Sequence, residues 1–309
     1  MLNTENKVAI LLCTFNGEKF IEEQLRSIVT QSHQNWIMHI SDDGSTDNTL
    51  EIIASFAEKY GNDKIKLYSG PRKGFAQNFV SLLVMDIEAD FYAFCDQDDI
   101  WHKDKLKVAL SSIAREQRNE PVLYCGRTCL IDSSGEFIGY SPLFRKKASF
   151  KNALVQSIAG GNTMVINKPL KKIAELIPSD IGIISHDWTL YQLSSACGCK
   201  IIYDEEPYVF YRQHGDNLIG SNNDFLSKLY RFKMLLGNKF RYYSEVNLNL
   251  LRNLQHIFTE QNRSVFELFY DMRNAPFVKR ICIFLRLRVY RQTFWGNCGL
   301  LFAIIFKKI

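Results

Sequence analysis

The stretch VAILLC, residues 8–13, is an apolar run that passes directly into the hydrogen-bonding residues Thr14 and Asn16. Three later runs repeat this pattern: WIMHIS (36–41), KIKLYS (64–69) and FYAFCD (91–96). Amphipathic segments separate the runs, and we predict helices over 18–29, 47–57 and 75–85. Short apolar strands that alternate with amphipathic helices indicate strand–helix units and a largely parallel sheet.

Polar loops follow each of the four predicted strands. They contain CTFN (13–16), SDDGSTD (41–47), GPRKGFAQN (70–78) and CDQDDIW (95–101). Ligands of open α/β sheets bind outside the carboxyl ends of the strands, so we expect these loops to form one crevice. The crevice would hold the acidic clusters of SDDGSTD and CDQDDIW.

Carboxylates that lie close together repel, and they need a metal ion, a raised pKa or a hydrogen-bonding ligand to offset that repulsion. Asp96 and Asp98 offer the oxygen ligands that Mg²⁺ or Mn²⁺ prefers, which favours a phosphate-ester substrate. Taken alone, SDDGSTD is typical of a turn before a helix cap, and DQDD of a solvated helix start. Arg72 and Lys73 are either surface charges or contacts to a diphosphate.

These four strings, in this order and spacing, resemble the family 2 glycosyltransferases, which transfer a sugar from a nucleotide diphosphate donor with inversion. GGNTMVIN (160–167), HDW (186–188) and YRQHGDNLIG (211–220) are similar to the bacterial rhamnosyltransferase branch. The resemblance covers residues 7–220 and implies a GT-A fold, a Rossmann-like mixed α/β sheet flanked by helices. The chain lacks the Q-x-x-R-W motif and flanking transmembrane helices of processive synthases, which favours transfer of a single sugar.

The resemblance also implies roles for individual residues. Asp98, His214 and Asp96 would bind Mn²⁺ or Mg²⁺. Asp96 and Asp98 match the D-x-D pair of the family, with Asp98 as the direct metal ligand and Asp96 as a ribose or metal-water contact, and the extra acid Asp99 leaves this assignment open. Asp187 would be the catalytic base, with a helix-capping acid as the alternative, and a loop histidine is the alternative for His214. Asp42 or Asp43 would accept a hydrogen bond from the base N3–H. The implied nucleotide-sugar contacts are Thr14, Phe15, Asn16, Asp42, Asp43, Arg72, Lys73, Asn78, Asp96, Gln97, Trp101, Gly161 and Asn162.

The charge of the chain is polarised. Residues 225–309 carry a net charge of +11 and residues 1–224 a net charge of −6. We therefore divide the chain into a catalytic domain, 1–222, and a helical, basic C-terminal region, 223–309. Its basic and apolar residues interleave as in helices that lie in a membrane interface, with a helical cap on the catalytic domain as the alternative. The basic residues are Arg280, Arg286, Arg288, Arg291, Lys307 and Lys308, and the apolar ones Phe284, Leu285, Trp295, Leu301 and Phe306.

Other classes of partner and location are less compatible with the sequence. No basic stripe or nucleic-acid motif is evident in the acidic N-terminal part. The pairs Cys125/Cys129 and Cys197/Cys199 have spacings that fit structural zinc sites poorly, and the eight cysteines indicate reduced, buried thiols. The N-terminus lacks a signal-peptide pattern, and the run 294–306 is too short to span a bilayer. We expect a cytoplasmic protein that is peripheral on the inner membrane.

The sequence thus predicts a metal-dependent inverting glycosyltransferase of polysaccharide biosynthesis, such as that of O-antigen. L-rhamnose from dTDP-rhamnose is the expected donor group, and a lipid-linked or cell-surface glycan the acceptor. UDP-N-acetylglucosamine and UDP-galactose are alternative donors. A non-catalytic sugar-nucleotide-binding scaffold and a nucleotidyltransferase are alternatives of other classes, and the strings HDW and RQHGDN favour glycosyl transfer.

Overall fold

The computed structural model describes residues 5–117, 119–178, 181–214 and 239–309. Its strands form a seven-stranded central sheet and a smaller four-stranded sheet. In chain order the strands are β1 (Val8–Thr14), β2 (Trp36–Asp42), β3 (Ile65–Ser69), β4 (Phe91–Cys95), β5 (Ile100–Trp101), β6 (Val122–Gly126), β7 (Cys129–Ile131), β8 (Phe137–Tyr140), β9 (Val165–Asn167), β10 (Lys200–Asp204) and β11 (Val209–Arg212).

Helices flank the central sheet and make up most of the described C-terminal region. The helices are α1 (Ile21–Val29), α2 (Thr49–Tyr60), α3 (Phe75–Val84), α4 (Lys105–Ile113), α5 (Phe150–Ala153), α6 (Lys168–Ala174), α7 (His186–Ala196), α8 (Lys239–Leu254), α9 (Glu260–Asn274), α10 (Phe277–Leu287) and α11 (Phe294–Ile305). Short 3₁₀ turns occupy Gly161–Thr163 and Gln255–Ile257.

The central sheet has the strand order β10-β6-β9-β4-β1-β2-β3. Strands β4, β1, β2 and β3 are parallel, as the alternation of apolar runs and helices predicted. Strand β9 runs antiparallel to both β4 and β6, which makes the sheet mixed. Every residue of β1 is buried, because helices cover both faces of the sheet. The predicted α/β class, a mixed sheet flanked by helices, is confirmed.

The smaller sheet has the order β5-β11-β7-β8, and its β7–β8 hairpin encloses a turn at DSSGE, residues 132–136. Strand β5 begins directly after the acidic loop 96–99. Its partner β11 ends two residues before His214. The small sheet therefore brings the acidic loop and the late histidine to the same edge of the molecule.

Two apolar cores lie on the two faces of the central sheet. Helices α1, α2 and α4 enclose one core. Helices α3 and α5–α7 enclose the other, and α8–α11 pack into that same core. The proposed boundary between 222 and 223 lies outside the described residues. The described C-terminal helices therefore pack against α3 and α5–α7 in one shared apolar core.

Arg280 differs from its expected position at a membrane interface. Its side chain is only 6% exposed, and its guanidinium donates hydrogen bonds to the backbone carbonyls of Ala275 and Ile305. Arg280 therefore ties the start of α10 to the end of α11. No helix in the described part of the chain has the length and apolar character to cross a membrane.

All eight cysteines are free thiols, as predicted. Six of them are buried or half-buried, but Cys282 on α10 and Cys298 on α11 are exposed. The expectation of buried thiols is therefore wrong for these two. Cys282 lies on the outward face of the amphipathic helix α10, and Cys298 lies on α11, whose apolar run also supplies its outward face.

Candidate active site

Asp42, the last residue of β2, anchors the first two loops of the crevice. One carboxylate oxygen accepts hydrogen bonds from the backbone N–H groups of Gly44 and Ser45, at 3.0 and 2.8 Å. The other accepts from the hydroxyls of Thr14 and Ser45, at 2.8 and 2.6 Å. Asp42 thus joins the ends of β1 and β2 at the position where the sequence placed the nucleotide.

The neighbouring carboxylate, Asp43, holds the third loop. It accepts hydrogen bonds from the backbone N–H groups of Arg72 and Gly74, at 2.6 and 2.7 Å. Arg72 has a positive φ of 56°, which this pairing fixes, and its side chain lies beside Gly44. Arg72 and Lys73 are both exposed at the crevice. The two cations are therefore held at its edge and open to a ligand.

Gln97 connects the acidic loop to the first loop. Its side-chain oxygen accepts from the backbone N–H of Phe15 at 2.8 Å, and its amide nitrogen donates to the Phe15 carbonyl at 3.0 Å. The Phe15 side chain is 55% exposed. Asn16 accepts a hydrogen bond from the backbone N–H of Thr46. Residues 14–16, 42–46 and 97 thus form one hydrogen-bonded wall.

The extra acid of the DQDD string, Asp99, points away from the crevice. It is 1% exposed and accepts hydrogen bonds from the Asn162 side chain at 2.6 Å and from the backbone N–H of Arg212 at 3.3 Å. Burial, together with the charges of Asp98 and Asp96, raises the pKa of Asp99. Asp99 therefore has a structural position.

Arg212, at the end of β11, was not predicted as a site residue. It is 2% exposed, donates to the Asp98 carbonyl at 3.0 Å, and pairs with the carboxylate of Glu23 on α1. Its guanidinium also lies over the Phe20 ring. The sequence did contain a signal, because Arg212 ends the otherwise uncharged strand pattern VFYR. A charged side chain in such a strand indicates a buried group with a partner. Its partner Glu23 is 189 positions away and could not be identified from local pattern.

Asp98 and His214 are brought together as the sequence predicted. Asp98 Oδ2 lies 2.9 Å from His214 Nε2, and the imidazole ring packs at 5.0 Å from the Phe20 ring. Within the described ranges, no three carboxylate, imidazole or thiol side chains are arranged as a complete metal site. Asp98 and His214 thus offer one oxygen and one nitrogen, a set that a phosphate-bound cation can complete with ligand oxygens.

Asp96 and Asp187 lie close enough to interact electrostatically. Burial and the negative charges of Asp98 and Asp187 together raise the pKa of Asp96 to about 7. Asp187 lies in the first turn of α7, one residue after the helix begins, and its carboxylate accepts a hydrogen bond from the Trp188 backbone N–H. The N-cap is Ser185, so Asp187 does not occupy the capping position.

His186 was quoted as part of the HDW string but received no role. Its ring is 4% exposed and stacks on Phe79 at 3.9 Å and on Phe94 at 5.5 Å. Burial lowers the pKa of His186 to about 4, so the imidazole is neutral. Gly161 lies against its edge, where an added Cβ would overlap the ring and lie 3.5 Å from the Asp187 Cβ. Gly161 and His186 therefore set the position of Asp187.

Three of the predicted nucleotide-sugar contacts lie below the crevice surface. Trp101 is 3% exposed in the core of the sheet, with the Lys105 ammonium 3.2 Å from its ring centroid. The Asn78 side chain accepts a hydrogen bond from the Ser41 hydroxyl and donates one to the Ser41 carbonyl, and the Asn162 amide donates to the Asp99 carboxylate. The side chains of all three are buried, and the amides of Asn78 and Asn162 stabilise the loops from beneath, so their direct contact with a nucleotide sugar stays a prediction. The other predicted residues border the crevice or its floor.

Known proteins resemble this chain in sequence and in fold. The family model described as "Glycosyl transferase family 2" matches residues 9–173. The dTDP-rhamnosyl transferase RfbG of Shigella flexneri is 33% identical over 246 residues, which cover 74% of this chain and 81% of that protein. The family match spans both acidic loops, the Gly-Gly turn and strand β9.

Two solved structures share the fold at low sequence identity. TarS 1–349 of S. aureus, in complex with UDP-GlcNAc, has a TM-score of 0.58 and 18% identity, with 98% of this chain and 88% of that chain covered. The mannosyltransferase PcManGT of Pyrobaculum calidifontis, in complex with GDP-Man and Mn²⁺, has a TM-score of 0.52 and 15% identity, with 98% and 86% covered.

Replacement of Gly161 by alanine should destabilise the protein. The new Cβ would overlap the His186 ring, which Phe79 and Phe94 hold in place, so overpacking should cost about 1–3 kcal/mol of unfolding free energy. Gly182→Ala is the matched control, because no atom lies within 4 Å of its added Cβ. Urea unfolding measures both variants, and equal stability of the two would contradict the proposed contact.

The apoprotein should lose stability as the pH rises from about 4 to about 7, partly through Asp96. Its pKa in the folded protein, about 7, lies above its ordinary value of 3.8, so the folded state favours the protonated form and loses that advantage as the carboxyl ionises. Asp96→Asn should therefore be more stable than the parent at pH 8, by about 1–4 kcal/mol, and gain less at pH 5.

Urea unfolding at both pH values, with EDTA present, tests this expectation. Asp271→Asn, an exposed acid on α9, is the control and should show no such pH-dependent gain. A stability difference between Asp96→Asn and the parent that stays constant from pH 5 to pH 8 would contradict it.

Proposed function

The chain belongs to glycosyl transferase family 2, and we propose that it transfers a single L-rhamnose from dTDP-rhamnose, with inversion, to a lipid-linked or cell-surface polysaccharide acceptor. The family makes it a glycosyltransferase, so the non-catalytic scaffold and nucleotidyltransferase alternatives are set aside. The observation that supports the donor is the similarity to dTDP-rhamnosyl transferase RfbG, which covers 81% of that protein. The crevice residues then divide into a donor side and an acceptor side.

The donor side consists of the wall built by residues 14–16, 42–46 and 97. Asp42 and Asp43 fix this wall by accepting hydrogen bonds. Asp42 already accepts four, whereas Asp43 accepts two, so the Asp43 carboxylate keeps the capacity to accept one from the donor base. Arg72 and Lys73, exposed at its edge, are placed to contact the diphosphate. Their charges would stabilise the negative charge that builds up on the leaving group as the glycosidic bond breaks.

Asp187 is our proposed catalytic base. Its proximity to Asp96 and its place in the first turn of α7 support this role. Inversion requires one carboxylate to take the proton from the acceptor hydroxyl while that oxygen attacks the anomeric carbon from the face opposite the diphosphate. Gly161 and His186 hold Asp187 at this place, and the neutral His186 leaves the base without a competing cation.

We further propose a divalent cation, Mn²⁺ or Mg²⁺, held by Asp98 and His214 with Asp96 beside them. Carboxylate oxygens and imidazole nitrogens are ligands that these ions accept. The positive charge of the ion would offset the repulsion between carboxylates that helps to raise the pKa of Asp96. When bound, such an ion acts as a Lewis acid toward the leaving diphosphate. The mannosyltransferase that shares the fold was solved with Mn²⁺.

A UDP-sugar is the second candidate donor. TarS, which shares the fold, was solved in complex with UDP-GlcNAc. The sequence-based alternatives UDP-N-acetylglucosamine and UDP-galactose therefore stay in the set of donors to be compared. The base and the cation ligands have the same roles with either nucleotide.

The donor is identified by incubating the protein with a panel of sugar nucleotides and following nucleotide diphosphate release. We expect dTDP-rhamnose to be hydrolysed fastest. With the preferred donor and an acceptor, Asp187→Asn should bind the donor normally but lose transfer by on the order of 10²-fold or more. Glu51→Gln, in the first turn of α2, is the matched control for a helix-start acid. Near-normal transfer by Asp187→Asn would place the base elsewhere.

Binding of the nucleotide diphosphate should depend on a divalent cation and on Asp98. Asp98→Asn removes the negative charge that this ligand brings to the cation, so it should weaken the Mn²⁺-dependent part of binding by about tenfold or more. Calorimetric titration with dTDP, in Mn²⁺ and in EDTA, measures this part directly. The exposed acid Glu205, changed to Gln, provides the control. Equal affinity of the parent protein in both buffers would exclude the cation from donor binding.

A further inference from the structure

We propose that helices α10 and α11 form a docking surface for a bilayer that contains anionic lipid. On α10, Val278, Cys282 and Leu285 have the spacing of one helix face, and all three are exposed. Val278 is 72% exposed and Leu285 66%. This stripe faces away from the core, since Arg280 and Leu287 are the buried residues of the helix.

Helix α11 continues the apolar surface. It contains no charged residue, and Leu300, Ala303 and Ile304 already fill its buried side. At its N-terminus Phe294 is 74% exposed and Trp295 81%. A helix that is apolar on all sides is normally buried, with apolar groups packed against each of its faces. The core supplies one of these neighbours, so the outer face of α11 is suited to an apolar environment.

The charge around this surface is of one sign. Residues 272–309 contain eight basic residues and no acidic residue. Lys279 and Arg286 are exposed on α10, and Lys307 follows α11 directly. A second copy of the chain would bring the same positive charge against itself. A bilayer with anionic headgroups complements both the charge and the exposed aromatic side chains.

A positively charged cleft lies beside the end of α11. Its volume is about 540 Å³, and it is lined by four basic side chains and one acidic side chain. The basic residues are Arg241, Arg252, Arg273 and Lys307, and the acidic one is Glu245. The cleft extends the region of positive potential beyond the apolar stripes, as a surface that meets phosphate headgroups requires.

The protein would lie on the bilayer rather than cross it. Helix α11 has 12 residues and is about 18 Å long, well short of the ~30 Å hydrocarbon core. The aromatic pair at its start and Leu301 on its outer face would enter the headgroup region. The bulk of the molecule would stay in water, since the sheets and the crevice are built from the rest of the chain.

The docking surface is connected to the acceptor side of the crevice. The Asn152 side chain donates to the Tyr290 carbonyl, four residues before α11 begins. The Trp188 indole, next to Asp187, donates to the carbonyl of Ala153. A docked molecule would therefore hold Asp187 close to the membrane, where a lipid-linked acceptor resides. This last step rests on the proposed function, whereas the docking itself does not.

Flotation of the full chain with vesicles tests the proposal. The parent protein should float with vesicles of phosphatidylcholine and phosphatidylglycerol, and less with phosphatidylcholine alone or at high salt. The double variant Leu285→Ser/Trp295→Ser should lose about tenfold or more of its partition coefficient. Lys279→Glu/Arg286→Glu should lose the preference for anionic vesicles. Phe137→Ser, which removes an aromatic residue that is 57% exposed on the small sheet, should float like the parent protein.

All substituted side chains are exposed, so thermal melting curves in the absence of vesicles should coincide and confirm folding. The proposal is overturned if the parent protein does not float, or if Leu285→Ser/Trp295→Ser floats equally well. It is also overturned if the parent is a dimer that this double variant breaks without vesicle binding, since the surface would then join two copies. Flotation does not involve sugar transfer, so its result is independent of the donor panel.

Discussion

The buried carboxylate of Asp99 is the interaction on which the arrangement of the crevice depends. It joins three segments that are distant in the chain: the acidic loop, the Gly-Gly turn through Asn162, and strand β11 through the backbone of Arg212. The Asp99 carboxylate is buried, whereas the carboxylates of Asp96 and Asp98 in the same loop are half-buried at the crevice. Loss of this contact would separate the two sheets at the point where His214 approaches Asp98.

Much of the first half of the fold could be predicted from local pattern. Strands β1 to β4 and helices α1 to α3 lie within a few residues of the predicted segments, because apolar runs and 3.6-residue periodicity are local properties. Strand β6 and helices α5 and α6 were not predicted. Their segments are short and carry weak periodicity, and tertiary packing decides their structure. The antiparallel direction of β9 likewise follows only from pairing with β4 and β6.

Residue type and position in a motif were enough to predict some of the site residues. They were not enough where burial determines whether a side chain reaches the crevice. Asp98 and His214 meet as expected, and Asp187 lies close to Asp96. Trp101 and Asn162 are polar or aromatic residues of the same motifs, yet their side chains point into the protein. Sequence alone could not separate the residues that border the crevice from those that point into the protein. The direction of a side chain such as that of Asn162 depends on a partner more than 60 residues away. The same holds for Arg280, whose charge indicated a surface but whose partners are backbone carbonyls.

The position of β9 between β4 and β6 has a consequence for synthesis on the ribosome. One edge of β4 stays unpaired until Val165–Asn167 emerge, about 70 residues after β4 is complete, which takes about 4–14 s at ordinary elongation rates. During that interval the nascent chain exposes the edge of the apolar strand FYAFC, a template for pairing with other chains. The β1–β4 unit must therefore be shielded by chaperones or by its own helix α3 while the second half is made.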